Sequence, residues 1–261
     1  MSQSISARTY WIGYQTIVIK EITRILRIWA QTLIPPAITM TLYFVIFGQL
    51  IGRRIGEMGG MPYMDFIVPG LIMLTVITNA YGNITSSFFG AKFGKHIEEL
   101  LISPLPPLLI LAGYVTGAVL RALLVGIIVL ITASFFSDIS IHNLPVTLAV
   151  VVLTAIVFAL AGFINATFAQ KFDDISIIPT FVLQPMTYLG GVFFSIELLP
   201  GVWEKIAMAN PILYMVNAFR YGMLGVSDVS LAVAFGIIFA FGIVLGTICL
   251  TLLQRGTGLR T

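Results

Sequence analysis

The chain has 261 residues and a mass of 28.5 kDa; it is 58% hydrophobic, only 10% charged, and has a mean hydropathy of +1.02. Soluble domains run nearer roughly 45–50% apolar and 25% charged, so this composition excludes an ordinary cytosolic enzyme, a disordered chain and a nucleic-acid binder, and points to an all-α polytopic membrane protein. The balance of 14 Lys+Arg against 11 Asp+Glu, a net +3, is too small to mark a polyanion partner; where the charges fall carries more information.

At the N-terminus, Lys20, Arg24 and Arg27 recur at helical spacing on one face, with Val18, Ile22, Ile25 and Trp29 on the other. Such a basic amphipathic segment, residues 8–28, predicts an interfacial helix whose cations meet anionic lipid heads. The first 28 residues lack a compact apolar core followed by a small-residue cleavage site, so no cleaved signal peptide is expected.

A spanning helix needs about 20 apolar residues to cross a ~30 Å hydrocarbon core. Six stretches qualify: Trp29–Ile51, Phe66–Phe89, Leu108–Phe136, Pro145–Phe168, Ile175–Phe194 and Leu231–Leu253. The connection Ser195–Ser230 is apolar in pieces but broken by Pro200, Gly201 and Pro211, a pattern for re-entrant or interfacial helices. An even number of spans puts both termini on one side. Arg8, Lys20, Arg24, Arg27, Lys92, Lys95, Lys171, Arg255 and Arg260 fall on that side; Arg53, Arg54, Lys205 and Arg220 fall on the other. The positive-inside rule then predicts cytoplasmic termini.

Span two carries Thr75, Asn79, Gly82, Asn83 and Ser86 within an arc of about 100°. Span five carries Thr180, Gln184, Thr187, Tyr188 and Gly191 at the same spacing. In hydrocarbon such groups seek partners or water, so each stripe should face protein or a cavity. Two readings stay open: dry helix packing, or a translocation path lined by Thr75, Asn79, Asn83, Ser86, Thr180, Gln184, Thr187 and Tyr188. Pro179 and Pro185 can kink span five. Arg121 sits midway along span three on the same face as Gly113 and Gly117. Gly-x-x-x-Gly permits close helix approach, so Arg121 should point into the bundle as a structural anchor, partnered by backbone carbonyls, lipid phosphate or water.

The loop Gly90–Pro107 reads as a short amphipathic helix over 95–102, ended by Pro104, Pro106 and Pro107. It is either a solvated connector or a docking knob. No Gly-x-x-x-x-Gly-Lys-Ser/Thr phosphate loop, no Gly-x-Ser-x-Gly elbow and no run of intramembrane carboxylates occurs in the chain. His96 and His142 fall on opposite sides, and the single cysteine, Cys249, reads as packing. The chain is therefore expected not to be an enzyme and to hold neither metal nor cofactor of its own.

The loop resembles the coupling helix of ABC-2-type permeases, the membrane subunits of one class of ATP-binding-cassette exporters. There a Glu-x-Leu-hydrophobic-x-x-Pro pattern matches Glu98–Leu100 through Pro104. A second motif is Phe194 to Leu199-Pro200 followed by Asn210-Pro211, and a third runs from Phe172-Asp173-Asp174-Ile175 to Tyr188-Leu189-Gly190-Gly191. The resemblance covers essentially the whole chain. It implies a six-span half-transporter of a bacterial inner membrane, with an N-terminal interfacial helix and re-entrant extracellular helices bearing Phe194, Leu199, Pro200, Asn210 and Pro211. It also implies that two copies pair and that a separate ATPase subunit, carrying ATP and Mg, docks on each through Lys95, His96, Glu98, Glu99, Leu100, Leu101 and Pro104. Spans two and five would line the route of an exported polysaccharide, drug or lipid. The alternatives are a secondary transporter or channel driven by an ion gradient, and a non-transporting membrane scaffold.

Overall fold

The computed structural model describes residues 7–259; Arg260, counted above with the termini, lies outside them. α1 (Ala7–Arg27) bends at Ile28 into α2 (Trp29–Tyr43), which continues through a π-helical stretch, Phe44–Ile51, into α3 (Gly52–Ile55). A small hairpin, β1 (Glu57–Met58) antiparallel to β2 (Met61–Pro62), then reverses the chain. Gly59 and Gly60 both take positive φ, which a tight two-residue hairpin turn requires. α4 (Tyr63–Phe93), the short α5 (His96–Ile102), α6 (Pro107–Ala133) and α7 (Leu144–Phe168) follow. Next come α8 (Asp174–Ile178), a π-helical stretch Pro179–Leu183, and α9 (Gln184–Tyr188). A 3-10 turn at Ile196–Leu198, α10 (Val202–Met208), α11 (Pro211–Leu224) and α12 (Leu231–Arg255) complete the described chain.

Among the described residues five helices are long and apolar enough to cross a membrane: Trp29–Ile55, Tyr63–Phe93, Pro107–Ala133, Leu144–Phe168 and Leu231–Arg255. The fifth expected span, Ile175–Phe194, is not one continuous helix. Residues 174–188 form three consecutive five-residue pieces, a helical length of about 22 Å at 1.5 Å per residue, short of the ~30 Å core. Pro179 and Pro185 supply the reason. Each lacks an N–H and crowds the preceding turn, so the ladder widens to a π turn between them. The segment nonetheless runs the length of the bundle. Asn165 near the end of α7 donates to Ile175 O at 3.1 Å, and Tyr63 at the start of α4 donates to Phe193 O at 3.0 Å.

α4 is buried on nearly every side, between α6, α7 and α11. Its contact with α7 is a backbone-distance crossing. A Cβ added at Gly162 would lie 2.6 Å from Tyr81 O and 2.8 Å from Thr85 Oγ1. Thr85 exploits the approach, donating to Tyr81 O at 2.7 Å and reaching Gly162 O at 3.3 Å. Where α4 ends, the buried Lys92 donates Nζ to Thr167 O at 2.6 Å and Ala169 O at 2.7 Å. It thereby satisfies carbonyls that α7 leaves without intrahelical partners, and places a cation at that helix's negative end.

One side of α1 runs beside the first part of α6, while Trp11, Ile12, Ile19 and Leu26 stay exposed. Gly13 meets Leu105, Gly113 faces Ile17, and a Cβ at Gly117 would lie 2.5 Å from Glu21 Cβ. The Gly113-x-x-x-Gly117 notch thus seats α1 rather than a second spanning helix. Both ends of the described chain lie with α5 at one end of the bundle, since Gly258 packs on Thr167. The β1–β2 hairpin marks the other.

The α4–α7 crossing generates a contrast. Gly162→Ala inserts a methyl against backbone and should destabilise the detergent-purified chain by roughly 1–3 kcal/mol, read as a lower melting temperature. Gly236→Ala, with nothing within 4 Å of the new methyl, should not. Equal melting of the two variants would show that the close crossing does not hold the bundle.

Candidate functional site

Between Phe66 and Lys92, the α4 positions that are not buried are Thr78, Asn79, Gly82, Ser86 and Gly90. They recur at three- to four-residue steps and form one continuous face. A Cβ at Gly82 or Gly90 would meet nothing within 4 Å, so that face is open space. The span-two stripe therefore divides. Asn79 and Ser86 lie on the open face, whereas Thr75 and Asn83 are buried. Thr75 donates Oγ1 to Leu71 O at 2.9 Å, and Asn83 faces α1.

The second stripe divides in the same way. Thr180, Gln184 and Tyr188 are exposed at four-residue steps. Thr187 is fully buried, its hydroxyl donated to Leu183 O at 2.5 Å, so it belongs to the packed side and not to the path face expected for it. Leu183 and Thr187 are the buried residues of the whole 174–188 segment, and Phe181 is 74% exposed.

Charged groups meet at the α1–α4–α6 corner. Glu21 is completely buried and accepts from Ser87 Oγ. Arg24 Nη2 lies 3.0 Å from Glu21 Oε2, 2.6 Å from Asn83 Oδ1 and 3.3 Å from Asn83 O, and Arg24 Nη1 is 3.5 Å from Ser86 Oγ. The face expected to meet lipid heads has thus turned Arg24 inward, because a buried carboxylate needs a cation beside it. Glu21 escaped the sequence reading because it lies on a helix read as interfacial, not spanning. Among the described residues Arg121 also meets a side chain, Asn79 Oδ1, 3.3 Å from Nε. Arg121 is the fifteenth of the twenty-seven residues of α6, midway along it as expected.

At the α5 end, Lys95, His96, Glu98, Glu99 and Pro104 are exposed, Ile97 is fully buried, and Leu100 and Leu101 are partly buried against the apolar cluster beneath. Lys95 caps the helix in the left-handed region at φ 62°, a conformation that only a fixed surrounding structure holds in a non-glycine residue. Ser103 Oγ closes the other end on Leu100 O at 2.6 Å. α5 is therefore a pinned protrusion presenting charge outward. Beside it opens a cleft of about 620 Å³ lined by Phe89, Lys92, Phe93, Lys95, Phe168 and Gln170 among others. The turn after α7 is fixed by Asp174, whose carboxylate accepts N–H groups of Gln170 and Lys171 at 2.8 and 2.9 Å; those bonds hold it below the usual carboxylate range.

At the hairpin end, α10 and α11 form a V. Its apex is Asn210-Pro211, where Asn210 Oδ1 caps α11 by accepting from Ile212 N at 3.0 Å and Nδ2 donates to Met186 O at 2.5 Å. Pro211 opens α11 where no N–H is needed. The outer ends are tied by Asp228, which accepts from Ser195 Oγ at 3.0 Å and Ile196 N at 3.2 Å. Phe194 and Leu199 are partly buried near these ties and Pro200 is exposed. Arg220, counted from sequence among the loop charges, is 1% exposed. It donates to Gly191 O at 2.5 Å and lies 3.9 Å over the Phe66 ring. One Arg in an apolar run gave no sign of this; the buried network of Asn217, Asp228 and Ser195 around it is assembled only by the fold.

Comparison with known proteins places these features. The ABC-2 type transporter family model matches residues 13–224. An inner membrane transport permease named YadH, from Escherichia coli (strain K12), is 56% identical over 252 residues, covering 97% of this chain and 98% of that protein. Nodulation protein J of Rhizobium leguminosarum bv. viciae is 26% identical over 215 residues, covering 82% and 83%.

The two divided stripes yield a specific labelling pattern. In a Cys249→Ser background, single cysteines replacing Ser86, Gln184 or Tyr188 should react with a small membrane-impermeant thiol reagent, whereas those replacing Thr75 or Thr187 should stay silent, because a buried thiol remains protonated and out of reach. Equal reaction at Gln184 and Thr187 would mean that the segment has no packed side.

Proposed function

The chain belongs to the ABC-2 type transporter family, and on that premise we propose that it is the permease half of an ATP-binding-cassette exporter. The observation that carries this reading is the single polar, open face on α4, a helix otherwise buried along its length. A face bearing Asn79, Gly82 and Ser86 is costly against lipid and useless inside a dry core; it suits a route shared with a second copy of the chain. The 174–188 segment, with Thr180, Gln184 and Tyr188 outward, supplies the second wall. In this reading 174–194 is a broken fifth crossing that completes six, and the α10–α11 V is re-entrant. Both termini and α5 lie on the cytoplasmic side of a bacterial inner membrane.

Energy enters from outside the chain. The sequence contains no Gly-x-x-x-x-Gly-Lys-Ser/Thr loop to hold a nucleotide. A separate ATPase subunit, with its own ATP and Mg, would dock on α5. Because α5 lies between the ends of α4 and α6 and is anchored by Ile97, a displacement of α5 is delivered to the helix that carries the open face. The cargo is an amphipathic or polymeric molecule moved outward, and two permease copies pair with two ATPase subunits.

Docking is testable through charge. Glu98 and Glu99 are exposed in the first turn of α5. A Glu98→Lys, Glu99→Lys double variant should lose most of the ATPase subunit recovered by co-purification with wild type, since reversed charges facing a complementary partner cost several kcal/mol. The purified permease alone should hydrolyse no ATP. Robust hydrolysis by the isolated chain, or full recovery of the ATPase with the double variant, would contradict this assignment.

A further inference from the structure

We propose that the α1–α4–α6 corner binds the phosphate group of an amphipathic lipid, with the Arg121 guanidinium as its fork and Arg24 and Lys20 as its supporting charges. Arg121 makes one long bond among the described residues, from Nε to Asn79 Oδ1 at 3.3 Å, and faces no carboxylate. Its terminal nitrogens are thus free to bind, in a helix apolar enough to span a membrane. A cation with open donors in such a place is expensive unless an anion meets it, and the planar fork of arginine matches two phosphate oxygens.

The neighbouring charges favour the same occupant. Arg24 acts electrostatically on Arg121. Lys20 Nζ lies 3.3 Å from Tyr114 OH and 5.3 Å from its ring centre, lower on α6. Against these three cations stands one carboxylate, Glu21, already engaged by Arg24 and Ser87. The corner is therefore net cationic. Along the α1–α6 seam, Ile22, Ile25, Leu26, Leu120 and Leu124 line an apolar cleft of about 160 Å³, suited to the first part of an acyl chain. Anion and apolar chain together specify an amphipath.

The site borders the open face of α4. Its use as the cargo's entry point rests on the transport reading, but its occupancy does not. Binding is therefore measured on the delipidated full chain in detergent, without ATPase subunit or nucleotide, by native mass spectrometry. The probes are phosphatidylglycerol, diacylglycerol with the same chains, and inorganic phosphate. Wild type should retain phosphatidylglycerol in preference to diacylglycerol. Arg121→Gln should weaken that retention about tenfold, Arg121→Lys should restore part of it, and Arg255→Gln on the exposed end of α12 should change nothing. Displacement of the lipid by inorganic phosphate through Arg121 would assign the site to a soluble phosphate and overturn the lipid assignment. Equal retention of phosphatidylglycerol and diacylglycerol by wild type would overturn the proposal even if Arg121→Gln fails to fold. So would unchanged retention in an Arg121→Gln protein with wild-type melting.

Discussion

The crossing of α4 on α7 sets the rest of the molecule. It brings backbone against backbone at Gly162, with Thr85 bonded across the contact. Once α4 is pressed there, α6 and α11 close two more of its sides, and only the face from Thr78 to Gly90 is left uncovered. Small residues make such closeness possible in a membrane, where apolar bulk gains nothing over lipid and packing and hydrogen bonds hold helices together. The open face is thus what remains when three sides of one helix have been filled, and its polar residues are those that would be misplaced anywhere else on α4.

The corner beside α1 follows from the same economy of space. The Gly113–Gly117 notch lets α1 approach α6 until Glu21 is wholly enclosed. An enclosed carboxylate calls in Arg24, and Arg24 calls in Asn83, the buried stripe residue of α4 that turns toward α1. Polar groups that look from sequence like a single lining are therefore divided between packed and open faces. Asn83 and Thr187 are buried against their neighbours; Gln184 and Tyr188 are exposed, and Asn79 and Ser86 edge the open face while bonding Arg121 and Arg24.

Much of the architecture was legible in the residues. Apolar length located the five long helices to within several residues, and proline position correctly warned that the stretch from Ile175 would be irregular. The amphipathic pattern found α5, with its ends set by Lys95 and Ser103. What periodicity cannot report is which neighbour a face meets. The Gly-x-x-x-Gly notch announced a close approach but not that an N-terminal helix would make it. Arg121 lies midway along α6, as its place in the apolar run announced, but its bond to Asn79 of α4 could not be read from one helix alone. Arg220 was unreadable for a related reason: its partners Gly191, Asn217 and Phe66 come from separate parts of the chain and meet only in the folded V.

The central claim is that the open face of α4 is where two copies of this chain meet around a shared route. Crosslinking in native membranes tests it most directly. Each of two single-cysteine chains, Gly82→Cys and Phe239→Cys in a Cys249→Ser background, would be treated with a short bis-maleimide. Gly82 lies on the open face, and Phe239 is half-exposed on α12, away from it. The account predicts covalent dimers through position 82 and none through position 239. Dimers through 239 alone, or none through 82 in membranes where the chain is otherwise functional, would contradict it.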